Sequence, residues 1–183
     1  MPPDPARPGK NQGSLRPNPY CRLSSKGGIP DAGEVRRRSV MKLQIFKETK
    51  TRLPRKKLAF LLEAIVNAEA PMRNLGWVNL VFTTDRRIRT LNKKFRNIDR
   101  PTDVLSFGLD DPADPEDTFG EIYVSVPTAM RQTRQYGITL TDELLRLSCH
   151  GMLHLFGYDH VKAAEARKMK NREDHFLKRL RRK

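Results

Sequence analysis

Apolar residues recur at two different periods along this chain, and the period assigns each segment. KLQIF (42–46) is a short apolar run that suits a strand. From Pro54, whose fixed φ fits a first helical turn, Leu58, Leu61, Leu62, Ile65 and Ala68 follow at helical spacing. WVNLVFTT (77–84), rich in β-branched and aromatic side chains, predicts a strand. Ile88, Leu91, Phe95 and Ile98 then line one face of a helix over DRRIRTLNKKFR. Arg86, Arg89, Lys93 and Arg96 fall on another face at steps of three and four. TDVLSFGL (102–109) and EIYVSV (121–126) predict two strands of a hairpin joined by the acidic loop DDPADPEDTFG, and a helix is expected within 127–136.

A longer helix is expected from Thr141, which can cap it, with Asp142 and Glu143 at the positive end of its dipole. It runs through ELLRLSCHGMLHLF, apolar on most sides and therefore buried, to a left-handed terminator at Gly157. A basic helix over 162–181 carries a sparse stripe of Ala166, Met169, Phe176 and Leu180. Together these elements predict an α+β domain: a small mixed sheet packed with helices, with the buried helix at its centre.

Residues 1–40 show no apolar periodicity and are rich in Pro, Gly, Ser and Arg, so they read as a disordered basic extension. Met41, just after RRRSV, is a candidate translation start, which leaves 41–183 as the folded domain. The net charge of +15 is not confined to the extension. Residues 1–40 hold eight Lys/Arg against three Asp/Glu, and the remainder holds 28 against 18. A polyanionic partner, nucleic acid before membrane, follows from that excess. Two cysteines, Cys21 and Cys149, make no disulfide framework. No run approaches a membrane span and the start lacks a secretory apolar region, so a cytoplasmic location is expected.

The buried helix also carries the chemistry. CHGMLHLFGYDH (149–160) holds three of the chain's four histidines. A helix stacks His150 and His154 on one face, one turn apart. Gly157 then reverses the chain, and His160 can return as a third ligand. Three neutral imidazoles with an open fourth position are the pattern of a catalytic zinc site, so one Zn²⁺ per chain is expected. This is also the ligand spacing of the metzincin proteases, but Gly151 stands where those enzymes carry their glutamate base. Cys149 is offset by about 100° around the helix and should be an inert core thiol. Asp159 can orient an imidazole from behind or stabilise the turn. Arg146 is expected at the surface or in an ion pair, and His175 in solvent.

At these residues the sequence resembles the YbeY-type endoribonucleases, the bacterial rRNA maturation factors. HGMLHLFGYDH matches that family's H-G-x-L-H-L-x-G-Y-D-H signature. LNKKFRNIDRPTDVLSF (91–107) resembles that family's L-N-x-x-[YF]-R-x-x-D-x-P-T-D-V-L-S-F segment, and GEI (120–122) a third, shorter element. The resemblance spans roughly 41–180 and leaves the N-terminal extension outside it. It implies an α+β fold, zinc ligands at His150, His154 and His160, and a functional arginine at Arg96. It also implies cleavage of single-stranded RNA in 3′-end maturation of small-subunit rRNA and in ribosome quality control. The implied partners are rRNA and the small ribosomal subunit, with no small-molecule cofactor.

The missing glutamate agrees with that reading. A phosphodiester needs neutralisation of transition-state charge more than a carboxylate base, and a carboxylate there would repel the RNA backbone. Arg96 offers a guanidinium that matches phosphate geometry. Arg86, Arg89 and Lys93 either contact the backbone without reading bases or form a solvated helix face. Asp103 and Ser106 can line the cleft, or cap and pack. Phe95, Tyr123 and Tyr158 are candidates for base stacking, although Tyr158 can equally pack under the turn. Two rivals stand beside the nuclease: a zinc metalloprotease of metzincin-like geometry, and a non-catalytic zinc-containing RNA-binding module for ribosome assembly.

Overall fold

The computed structural model describes residues 39–109 and 117–181. The extension expected over 1–40 therefore lies outside the described residues except for Ser39 and Val40, as does most of the acidic loop 110–117. The elements alternate along the chain as β1 (Val40–Lys47), α1 (Arg55–Glu69), β2 (Asn74–Thr83), α2 (Asp85–Arg96), β3 (Val104–Gly108), β4 (Thr118–Ser125), α3 (Val126–Tyr136), α4 (Leu140–Leu155) and α5 (Ala163–Arg181). The first strand starts before Met41: Ser39 Oγ donates to the Ala70 carbonyl at 2.6 Å, tying the start of β1 to the end of α1.

The four strands lie in the order β1-β2-β4-β3. β2 pairs in parallel with β1 and β4, while β3 pairs antiparallel with β4, Leu105 opposite Tyr123. The sheet is thus mixed, with the expected hairpin at one edge, and the fold is the α+β arrangement that the apolar periods predict.

Strand alternation sends successive side chains to opposite faces. Val78, Leu80 and Phe82 of β2 join Ile122 and Val124 of β4 in the main core, with α1 and α4 packed over them. Leu105 of β3 faces the other way, into a smaller cluster with Ile88 and Leu91 of α2. α4 lies at the centre of the domain, touching α1, α3, α5, β3 and β4, and ten of its residues are buried. Each leucine so placed is worth about 2 kcal/mol relative to exposure. No helix among the described residues is long and apolar enough to cross a membrane.

Three expectations change in detail. α4 starts at Leu140 and its cap is Thr139, not Thr141. Thr139 Oγ1 accepts from the Asp142 N–H at 3.1 Å, and it donates to the Asp142 carboxylate at 2.7 Å. Ala68 is exposed because it lies off the buried face of α1, which is Leu58, Leu61, Leu62, Ile65 and Val66. Phe95 and Ile98 are 56% and 39% exposed, since the buried face of α2 is confined to Ile88, Leu91 and Asn92 and Ile98 lies past its end.

Candidate metal centre

The histidines sit where a buried helix ends. The terminal geometry closes the helix tightly: the Gly157 N–H donates to the His154 carbonyl (2.9 Å) and the Tyr158 N–H to the Leu153 carbonyl (3.1 Å). These are the paired bonds of a Schellman ending, and Gly157 takes the left-handed φ of 79° that it requires. The chain turns back at once. The Asp159 carboxylate accepts the His160 backbone N–H at 2.7 Å, so Asp159 helps form the turn that carries the third histidine.

One ligand atom from each of His150, His154 and His160 lies within 4.8 Å of the other two. The Nε2 atoms of His150 and His154 face each other at 3.0 Å. His160 is exposed, whereas the other two are half-buried, so the cluster opens to solvent on the His160 side. Burial, with added repulsion from His150 and His160, holds the His154 imidazole down at about 4. It is therefore neutral at physiological pH, the form in which an imidazole can serve as a metal ligand. Nitrogen donors alone, clustered at one open end, fit Zn²⁺.

The surroundings explain the sequence between the ligands. A Cβ added at Gly151 would stand 2.6 Å from Ile122 Cγ2 and 2.9 Å from Ser106 Oγ. Cys149 is buried and free, and burial pushes its thiol far up, so it stays protonated and inert. Arg146 forms a two-pronged pair with the fully buried Glu143 carboxylate, at 2.8 and 2.6 Å, and stands 3.9 Å from Asp103. Asp103 accepts from Gln132 Nε2 (3.0 Å) and from the Val104 N–H (2.9 Å), so it organises the start of β3. Through Ser106 beside Gly151 the two long sequence blocks meet along α4, and Asp103–Arg146 ties the first block to the same helix one turn earlier.

A second carboxylate behind the histidines has no counterpart in any sequence motif. Glu173 of α5, 5% exposed, places Oε1 2.5 Å from His150 Nδ1. Its neighbour Arg172 pairs with Glu69 at 2.6 Å, and Glu69 accepts from the Tyr158 hydroxyl at 2.9 Å. Tyr158 thus anchors the turn instead of offering a stacking face. The sequence did carry a signal for Glu173. It falls on the stripe of Met169, Phe176 and Leu180, and a charge at a core position of a helix needs a partner.

The basic residues of α2 lie on its solvent side. Arg89 and Lys93 both pair with Asp99, at 2.7 and 3.0 Å, and together hold its carboxyl down at about 2. They line a shallow depression with Arg86, Thr90 and Lys94. Arg96 is exposed at the last position of α2, followed by Asn97 in a left-handed turn with φ 58°. Phe95 stacks at a tilt on Phe107 with centroids 5.0 Å apart, and Tyr123 meets the edge of the same ring. The Tyr123 hydroxyl is occupied by Glu121 at 2.9 Å. His175 is exposed, as expected.

The sequence profile of the endoribonuclease YbeY family matches residues 44–181. The chain belongs to the YbeY family. Among its YbeY relatives, the endoribonuclease YbeY of Desulforamulus reducens is 42% identical over 109 residues, spanning 56% of this chain and 71% of that one. The endoribonuclease YbeY of Moorella thermoacetica is 47% identical over 109 residues, spanning 55% and 70%. The solution structure of TM1509 from Thermotoga maritima is similar at a TM-score of 0.54, with 34% identity over 75% of this chain and 88% of that one. The YbeY profile covers both long blocks, the α2–β3 segment and the histidine loop.

Proposed function

We propose that this chain is a zinc-dependent endoribonuclease, specific for single-stranded RNA, that matures the 3′ end of 16S rRNA and serves ribosome quality control in the cytoplasm. The YbeY family supports the endoribonuclease role. The observation that carries the metal dependence is the convergence of His150, His154 and His160 within 4.8 Å at a solvent-facing helix end. The rRNA and small-subunit partners extend the family reading and fit the net charge of +15.

His150, His154 and His160 would hold the ion. When bound, Zn²⁺ supplies Lewis-acid polarisation of a phosphoryl oxygen and acidification of a water. Arg96, a fixed positive charge on an exposed helix end, binds the phosphate and offsets charge that builds on it during cleavage. Arg86, Arg89 and Lys93 hold the flanking backbone. Asp159 keeps the His160 turn closed, and Gly151 lets α4 lie flat enough on β3 and β4 to keep both helical histidines in place.

The protease reading loses its base, because position 151 has no room for a glutamate. Digests of RNA and of casein, each with and without a chelator, test the choice. Chelator-sensitive RNA cleavage with intact casein is expected. Chelator-sensitive proteolysis with inert RNA would reverse the assignment. Zinc content with neither activity would favour the non-catalytic assembly module.

A further inference from the structure

We infer that Glu173 is a positioning residue of the metal centre: it fixes the proton of His150 on Nδ1 and so turns Nε2 toward the ion. This inference rests on the metal-site reading above. A neutral imidazole carries one N–H and one lone pair, and the partner of one nitrogen decides which is which. Glu173 Oε1 lies 2.5 Å from Nδ1. With the carboxylate oxygen accepting, Nδ1 is the nitrogen that donates and Nε2 keeps the lone pair. The same Nε2 already faces His154 Nε2 at 3.0 Å, on the side where the ligand atoms converge.

Burial points the same way. A carboxylate that is 5% exposed is costly unless a partner compensates it. Apart from His150, its ion-pair neighbour is Lys170, an exposed amine 3.9 Å from Oε2. Position 173 lies on the apolar stripe of α5, where a leucine would pack without that cost. α5 also reaches the other half of the loop, since Arg172 braces Glu69 and, through it, Tyr158 beside Asp159 and His160. Adjacent residues of one helix therefore hold the helical histidine pair and the returning turn in register.

The test uses the full chain and zinc alone. Zinc affinity of the wild type, E173Q and E173A is measured by competition with a chromophoric chelator. Long-range ¹⁵N–¹H NMR of the metal-free proteins reads the His150 tautomer, and circular dichroism confirms that each is folded. E173A should bind zinc roughly 10- to 100-fold more weakly and populate both His150 tautomers. E173Q, whose amide oxygen can still accept from Nδ1–H, should fall between; if E173A does not fold, E173Q alone decides. Wild-type affinity and a wild-type tautomer in the folded variants would overturn the role of Glu173 and leave the metal site standing. A wild-type chain that takes up no zinc would remove the metal reading and this inference together.

Discussion

Gly151 and Ile122 are packed so closely that no side chain fits between them: a Cβ at 151 would stand 2.6 Å from Ile122 Cγ2. Gly151 lies on α4 between the two helical histidines, and Ile122 is in the middle of β4. The position that supplies a general base in proteases of the same histidine spacing is here the contact point of helix and sheet. Absence of the glutamate is thus a packing requirement as well as a chemical one.

Replacing Gly151 should therefore cost stability before it changes chemistry. G151A is expected to destabilise the fold by about 1–3 kcal/mol, read as a lowered thermal midpoint. I122A, which removes the clashing methyl, should offset part of the loss, so the double mutant would be non-additive. G151E should not gain proteolysis. Full stability of G151A would show that α4 sits further from β4 than described.

The neutral state of His154 sets a pH dependence. Its folded value of about 4 lies below the ordinary 6.5, so between these values the unfolded chain binds more protons. The stability tied to this residue is fully present above pH 6.5 and lost as pH falls toward 4. The loss is at most about 3 kcal/mol. Thermal unfolding of metal-free protein across that window should show the decline, and H154A should flatten it. Zinc affinity should fall in the same direction, because protons compete for the imidazoles.

Arg96 is predicted to act on RNA and not on the metal. R96E should keep its zinc and its fold, since the side chain is exposed, yet lose cleavage by at least about 100-fold. Turnover at the wild-type rate would remove Arg96 from the mechanism.

Contacts from Arg86, Arg89, Lys93 and Arg96 to phosphates should make RNA binding salt-sensitive. Four contacts to a single strand predict a loss of roughly 50-fold between 50 and 200 mM salt. Removing any one should reduce the slope. Because Asp99 neutralises Arg89 and Lys93, D99N should tighten binding. Affinity independent of salt would mean that this stripe is only a solvated helix face.

Much of this was readable from apolar spacing, because α1, β2 and α4 are buried on faces that the period marks. The histidine pair was equally readable, since helical geometry alone brings residues 150 and 154 together. What sequence could not place was set by tertiary contacts. Thr139 and Thr141 are both competent caps, and only the Asp142 contacts choose between them. Phe95 continues the α2 stripe but, packed against the Phe107 ring, stays 56% exposed. Glu173 approaches His150 across 23 residues of chain, a proximity created by how α5 folds back over α4.

Three imidazoles are proposed to hold one zinc ion, and that ion to be needed for cutting RNA. Elemental analysis of the purified chain and of H154A, paired with cleavage of a small-subunit rRNA precursor by the same preparations, tests it most directly. About one zinc per wild-type chain is expected, with cleavage near the 3′ end. H154A should have neither. Wild-type cleavage by a metal-free H154A protein would contradict it.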